Sequence, residues 1–125
     1  MSQLPSITIS TTDHDHIFAL IERLEKPNET VLALIEELYR ANIVDIDELP
    51  TNIVRMHSNV SFVNEDSSAI YSIKLVFPKE LDDTPGKVSI FSPAGAALLG
   101  LSVNDQIQWP LNSKKTLRIK VIGVE

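Results

Sequence analysis

Two apolar stripes of helical period, separated by a single proline turn, leave the first third of this chain very few shapes to adopt. Ile17, Leu20, Ile21 and Leu24 recur at i, i+3, i+4 and i+7, which is one face of a helix. Val31, Leu34, Ile35 and Leu38 repeat the pattern, with Leu32 and Tyr39 flanking it. Pro27-Asn28 stops the first helix, and the second starts near Asn28 and runs to about Ala41. A link that short makes the helices antiparallel neighbours, an αα-hairpin or miniature coiled coil. A helix of about thirteen residues at about 1.5 Å per residue is only about 20 Å long.

Ahead of the hairpin, Ser6 to Ser10 alternates as a short strand, and Thr11-Thr12-Asp13 supplies residues of helix N-cap type. Asp13 and Asp15 suit the positive end of a helix dipole. Residues 43–51 read as an acidic linker ending near Pro50. Beyond it the period changes. Strands are expected at Ile53–His57, Val60–Val63, Ile70–Phe77, Lys87–Phe91, Gln106–Trp109 and Thr116–Val124. A turn at 64–68, a polar loop over Pro78–Gly86 and a link over Pro110–Lys115 separate them. Ser92, Pro93 and Gly100 are the cap, first residue and terminator of a short helix over Pro93–Leu99. The expectation is an α+β protein in two parts. Residues 1–50 form the hairpin with its linker, and residues 51–125 form an antiparallel sheet with one short helix.

Several functions are excluded or disfavoured by composition. The 125 residues include no cysteine, so disulfides, thiolate catalysis and Cys-based zinc sites are ruled out. Apolar runs are too short to span a membrane, and MSQLPSITIS lacks the basic and apolar regions of a secretory signal. A cytoplasmic location and no membrane partner are expected. The net charge of −6 is uneven: residues 1–50 hold ten carboxylates against three cations, a local −7. Such a front half disfavours contact with DNA or RNA phosphates and favours a basic protein surface.

Catalytic residue types are present without the order that chemistry needs. His14 and His16 lie at i and i+2, which point to nearly opposite sides of a helix, so a shared metal is not expected. His57, Ser58 and Asp66 are the types of a hydrolase triad without a nucleophile-elbow sequence, and His57 reads as an ordinary strand residue. Gly95 and Gly100 have phosphate-loop spacing, but Leu101 stands where a lysine is required. Glu25, Lys26, Pro27 and Glu29 form the hairpin tip. Paired carboxylates there suit a divalent cation, and equally a solvated helix start. No cofactor and no metal are expected. Small residues at 94–97 let either the neighbouring sheet or a partner approach the short helix closely.

The stretch SPAGAALLGLSVNDQIQWPL, Ser92 to Leu111, resembles the C-terminal domain of the GreA/GreB transcript-cleavage factors. It resembles still more the related family of the regulator of nucleoside diphosphate kinase (Rnk). LPTNIVRMHSNVSF, Leu49 to Phe62, and KLVFP, Lys74 to Pro78, resemble that family's first and central strands.

The resemblance implies an FKBP-like fold for residues 51–125 and docking on the rim of the RNA polymerase secondary channel. Carried over by position, the contact residues are Phe91, Ser92 and Pro93, with Ala94, Gly95 and Ala96 supporting close approach. In the cleavage factors a long coiled coil enters the channel and its acidic tip helps hold magnesium. The hairpin here is too short for that, which argues against a cleavage role for Glu25 and Glu29. The implied function is a non-enzymatic regulator that competes with Gre-type factors. Two alternatives stand beside it: a true cleavage factor using Glu25 and Glu29, and a peptidyl-prolyl isomerase on the FKBP-like part. The isomerase needs an aromatic-lined concavity. Of Phe18, Tyr39, Phe62, Tyr71, Phe77, Phe91 and Trp109, two lie in the hairpin, leaving few to line one.

Overall fold

A computed structural model describes residues 6–112 and 115–125. The first five residues of MSQLPSITIS lie outside them, as do Ser113 and Lys114 of the expected link.

The chain begins with strand β1 (Thr8–Ser10), followed without a break by α1 (Thr11–Glu22). The cap is Ser10, one residue before the expected cluster: its hydroxyl accepts the Asp13 N–H at 3.1 Å. That leaves the Asp13 carboxylate to accept the Met56 N–H at 3.0 Å and tie the helix start to the second half of the chain. α2 (Glu29–Arg40) is capped by Asn28, whose side chain accepts from Val31 N–H at 2.9 Å. Each helix has twelve residues, so the hairpin extends about 18 Å.

Residues 42–44 correct the reading of 43–51 as a linker. They form β2 (Asn42–Val44), which pairs in parallel with β1, Thr8 against Asn42 and Ser10 against Val44. The Thr11 hydroxyl donates to the Val44 carbonyl at 3.2 Å, so the start of α1 meets the strand that follows α2. The hairpin is thus a β-α-α-β unit whose base is closed by two strands. A 3-10 turn follows at Ile46–Glu48.

The remaining strands are β3 (Asn59–Asn64), β4 (Ile70–Val76), β5 (Lys87–Ser89), β6 (Gln106–Asn112) and β7 (Lys115–Val124). Their order in the sheet is β5-β4-β3-β7-β6. Helix α3 (Pro93–Leu98) touches both edge strands, so the sheet curls around it. This is the α+β class that the sequence predicts, with two corrections. The sheet is not wholly antiparallel: β5 runs parallel to β4, Lys74 against Lys87. The ten residues between the strands, stiffened by a 3-10 turn at Pro78–Glu80, carry the chain back far enough for β5 to run beside Lys74–Val76, the last part of β4. Nor is Ile53–His57 a strand. Only Ile53 bridges, to Ser102, and the chain turns at His57 with φ +71°. The backbone there is satisfied piecemeal: Val54 N–H by Leu101 O, Met56 N–H by Asp13, and His57 N–H by Leu75 O.

One core serves both halves. Ile7, Ile9, Ile17, Ile21, Val31, Leu34 and Leu38 pack in the same buried cluster as Phe62, Leu75, Leu98, Leu101 and Ile119. Leu20, Ile35 and Phe18 are only partly covered, and Leu24 is exposed, so each helical stripe is buried along its centre and open at its margins. Gly100 lets the halves meet. At φ +82° it ends α3, and a Cβ there would lie 2.7 Å from the Ile7 Cβ. Its carbonyl accepts the Thr8 N–H at 3.2 Å. Among the described residues no helix is long and apolar enough to cross a membrane.

Candidate functional site: the face of helix α3 and the groove beside it

Helix α3 is held from three sides. The Ser92 hydroxyl donates to Ser89 O at 2.7 Å and accepts Gly95 N–H at 3.1 Å, fixing the helix start to the end of β5. Phe91 N–H donates to the Ser89 hydroxyl at 3.0 Å, and the Phe91 side chain packs half-buried against the core. On the opposite edge, Trp109 of β6 donates its indole N–H to Ala94 O at 3.0 Å and packs 4.7 Å from the Phe62 ring. Pro93, at the first helical position, is left exposed on this rigid frame.

The structure separates residues that the motif groups together. Pro93 is exposed, while Phe91, Ser92, Ala94 and Ala96 are half-buried and Gly95 is buried. A Cβ on Gly95 would lie 2.0 Å from Ser89 O, so the close approach this glycine permits is to the sheet.

At the hairpin tip Glu25, Lys26, Pro27 and Glu29 are all exposed. Glu29 also borders a groove of about 370 Å³ between α2, α3 and β6, whereas Glu25 does not. The groove brings Glu29, Thr30, Ala33 and Glu37 of the hairpin together with Pro93, Ala96 and Ala97 of α3 and with Ile107 and Gln108 of β6. Arg40 also borders it and is paired with Glu37. Of these, the sequence singles out Glu29 and Pro93 and, among the small residues at 94–97, Ala96 and Ala97. Thr30, Ala33, Glu37 and Arg40 carry a usable signal, since spacings of three and four put them on one face of α2 beside its core stripe. No aromatic ring lines the groove among the described residues; Phe62, Phe77 and Trp109 are buried in the core instead.

The other residues of catalytic type are drawn apart. The His14 ring lies 4.8 Å from Phe18 and the His16 ring 4.1 Å from Phe77. Among the described residues no group of three or more His, Cys, Asp or Glu is disposed to hold a metal ion. His57, expected as a strand residue, occupies a left-handed turn and pairs through Nε2 with Glu80 at 2.8 Å. Ser58 is buried and accepts Arg55 N–H, and Asp66 pairs with Arg118 at 2.8 Å, so the three triad types are not assembled.

Two carboxylates of the loop between β4 and β5 are held below their ordinary values. Glu80 accepts the Phe77 N–H, the larger effect, and faces His57. Asp82 accepts from Lys87 Nζ at 2.9 Å and from Thr84 N–H at 2.8 Å, which brings it from 3.8 to about 2. Depressed folded values mean these carboxylates stabilise the fold above their unfolded values, and the contribution is lost as pH falls through the folded ones. The melting temperature is therefore expected to fall progressively from about pH 4.5 toward pH 2. Asp82→Asn should flatten the lower part of that decline. An unchanged acid slope in the variant would remove Asp82 from the account. The effect is modest because both groups face water.

Comparison with known proteins gives this arrangement a family. A family model described as Transcription elongation factor, GreA/GreB, C-term matches residues 49–125, and one described as Rnk N-terminus matches residues 5–44. The chain is 34% identical over 122 residues to the regulator of nucleoside diphosphate kinase of Escherichia coli strain K12, covering 97% of this chain and 90% of that protein. It is 38% identical over 69 residues to transcription elongation factor GreA of Rhodospirillum rubrum, but spans only 44% of that factor's length. Among solved structures, a prokaryotic transcription elongation factor GreA/GreB from Nitrosomonas europaea superimposes with a TM-score of 0.80 at 39% identity, covering 96% of this chain and 98% of that one. With its Rnk-type hairpin and its GreA/GreB-type C-terminal part, the chain belongs to the family of the regulator of nucleoside diphosphate kinase and is a Gre-like, transcription-associated regulator.

Proposed function

We propose that this protein binds bacterial RNA polymerase in the cytoplasm, at the rim of the secondary channel, and competes there with Gre-type factors without stimulating transcript cleavage. Residues 51–125 dock and residues 1–50 form the projecting part. The observation that carries this reading is the pairing of a GreA/GreB-type C-terminal part with a hairpin of two twelve-residue helices. A projection of about 18 Å occupies a channel entrance rather than its depth. On this reading the polymerase meets Phe91, Ser92 and Pro93, with Ala94 and Ala96 setting how closely the helix start is approached, while the buried Gly95 serves the face indirectly by seating α3 against the sheet. Glu25 and Glu29 then act as surface charge and no metal is recruited to them. The protein is not an enzyme and takes no cofactor.

The test is capture of core RNA polymerase by the tagged full-length protein, with and without a Gre factor as competitor. Displacement by the competitor is the expected result; no capture would sink the reading. Pro93→Glu should weaken capture at least about tenfold, or about 1.4 kcal/mol. A glutamate suits the first turn of a helix, so the fold should survive it. Unchanged affinity of a folded Pro93→Glu variant would move the docking face elsewhere. In a stalled elongation complex the protein should leave the transcript intact, and cleavage abolished by Glu25→Ala would establish the opposite.

A further inference from the structure

The groove beside α3 has a shape and a charge that the docking face alone does not account for. We propose that it is a second part of the polymerase-binding surface, taking an apolar side chain of the partner together with a neighbouring lysine or arginine. This inference rests on the polymerase-binding reading and deepens it, because it makes the hairpin part of recognition.

Three observations converge. The groove is continuous with the proposed docking face, since Pro93 belongs to both. Its floor is apolar, with Leu34, Ala97 and Ile107 drawn from α2, α3 and β6, and about 370 Å³ accommodates bulky side chains of an incoming segment. Its rim carries two carboxylates, Glu29 and Glu37, beside Arg40, and Glu37 is paired with Arg40, so Glu29 is the rim carboxylate for an incoming cation. The charge of −7 over residues 1–50 reinforces that preference. A second copy of this chain would bring two acidic rims together, which like-charge repulsion opposes.

The experiment measures the affinity of full-length variants for core RNA polymerase at physiological salt, alongside the mass of the free protein in solution. Ala33→Trp fills the groove from an exposed position, and Glu29→Lys reverses its rim. Glu22→Lys makes the same charge change on α1, away from the groove. Ala33→Trp and Glu29→Lys should each weaken binding about tenfold, while Glu22→Lys stays near the unaltered protein. If Ala33→Trp does not fold, Glu29→Lys against Glu22→Lys decides the matter. Full affinity in both groove variants, with Pro93→Glu still impaired, would overturn the groove while leaving polymerase binding intact. Equal losses in Glu29→Lys and Glu22→Lys would reduce the effect to net charge and overturn it too. A dimer that Ala33→Trp dissociates would make a second copy the occupant and overturn the proposal. Failure of the unaltered protein to bind polymerase would remove the underlying reading, and this inference with it.

Discussion

Gly95→Ala will destabilise the protein by about 3 kcal/mol or more, against the direction that helix propensity predicts. Within a helix, alanine is favoured over glycine by about 1 kcal/mol. Here the added methyl would lie 2.0 Å from Ser89 O, 2.8 Å from Ser89 C and 3.1 Å from the Leu75 Cδ1. Two of those atoms are backbone at the end of β5, so relief requires the helix to lift from the sheet. Lifting α3 stretches the Ser92–Ser89 bond and the Trp109–Ala94 bond that frame the proposed docking face. Urea unfolding gives the measurement, with Ala97→Gly as the companion variant expected to cost only about 1 kcal/mol. A Gly95→Ala protein as stable as the original would mean that α3 does not sit this close to the strand.

Leu34→Asp should cost about 4 kcal/mol, a large share of the roughly 5–15 kcal/mol that stabilises a domain of this kind. Leu34 is 1% exposed and sits in the cluster shared by the hairpin and the sheet. A carboxylate there is either buried without a partner or neutralised at a cost, and the apolar contacts are lost as well. Leu20→Asp, on the companion stripe but half-buried, should cost far less. The sequence makes the two leucines equivalent, and their burial separates them. Because the core is common, the loss should not stay in the hairpin. Trp109, the single tryptophan, is buried in the C-terminal part, so its fluorescence and the helical circular dichroism should change together on unfolding. Two separated transitions in Leu34→Asp would show that the hairpin melts alone.

What was legible in the sequence was local. The two helices follow from apolar positions three and four apart, which need only neighbours along the chain to take effect. The start and stop of α3 follow from Ser92, Pro93 and Gly100, whose preferences are properties of their own backbone. The Ser92–Leu111 motif carried the family for the same reason, as contiguous text. Tertiary structure decided what depends on residues far apart. Ile43 and Val44 read as linker because so short a piece holds no readable period, and only pairing with Ile9 and Ser10, more than thirty positions away, makes them part of a strand. His57 reads as a strand residue from its neighbours, yet Met56 N–H donates to the Asp13 carboxylate and His57 N–H to the Leu75 carbonyl, and the chain turns there. The groove likewise has no local signature. Glu29 and Pro93 lie sixty-four positions apart, and they share a surface because Gly100 lacks the side chain that would keep Ile7, and with it the hairpin, away from the sheet.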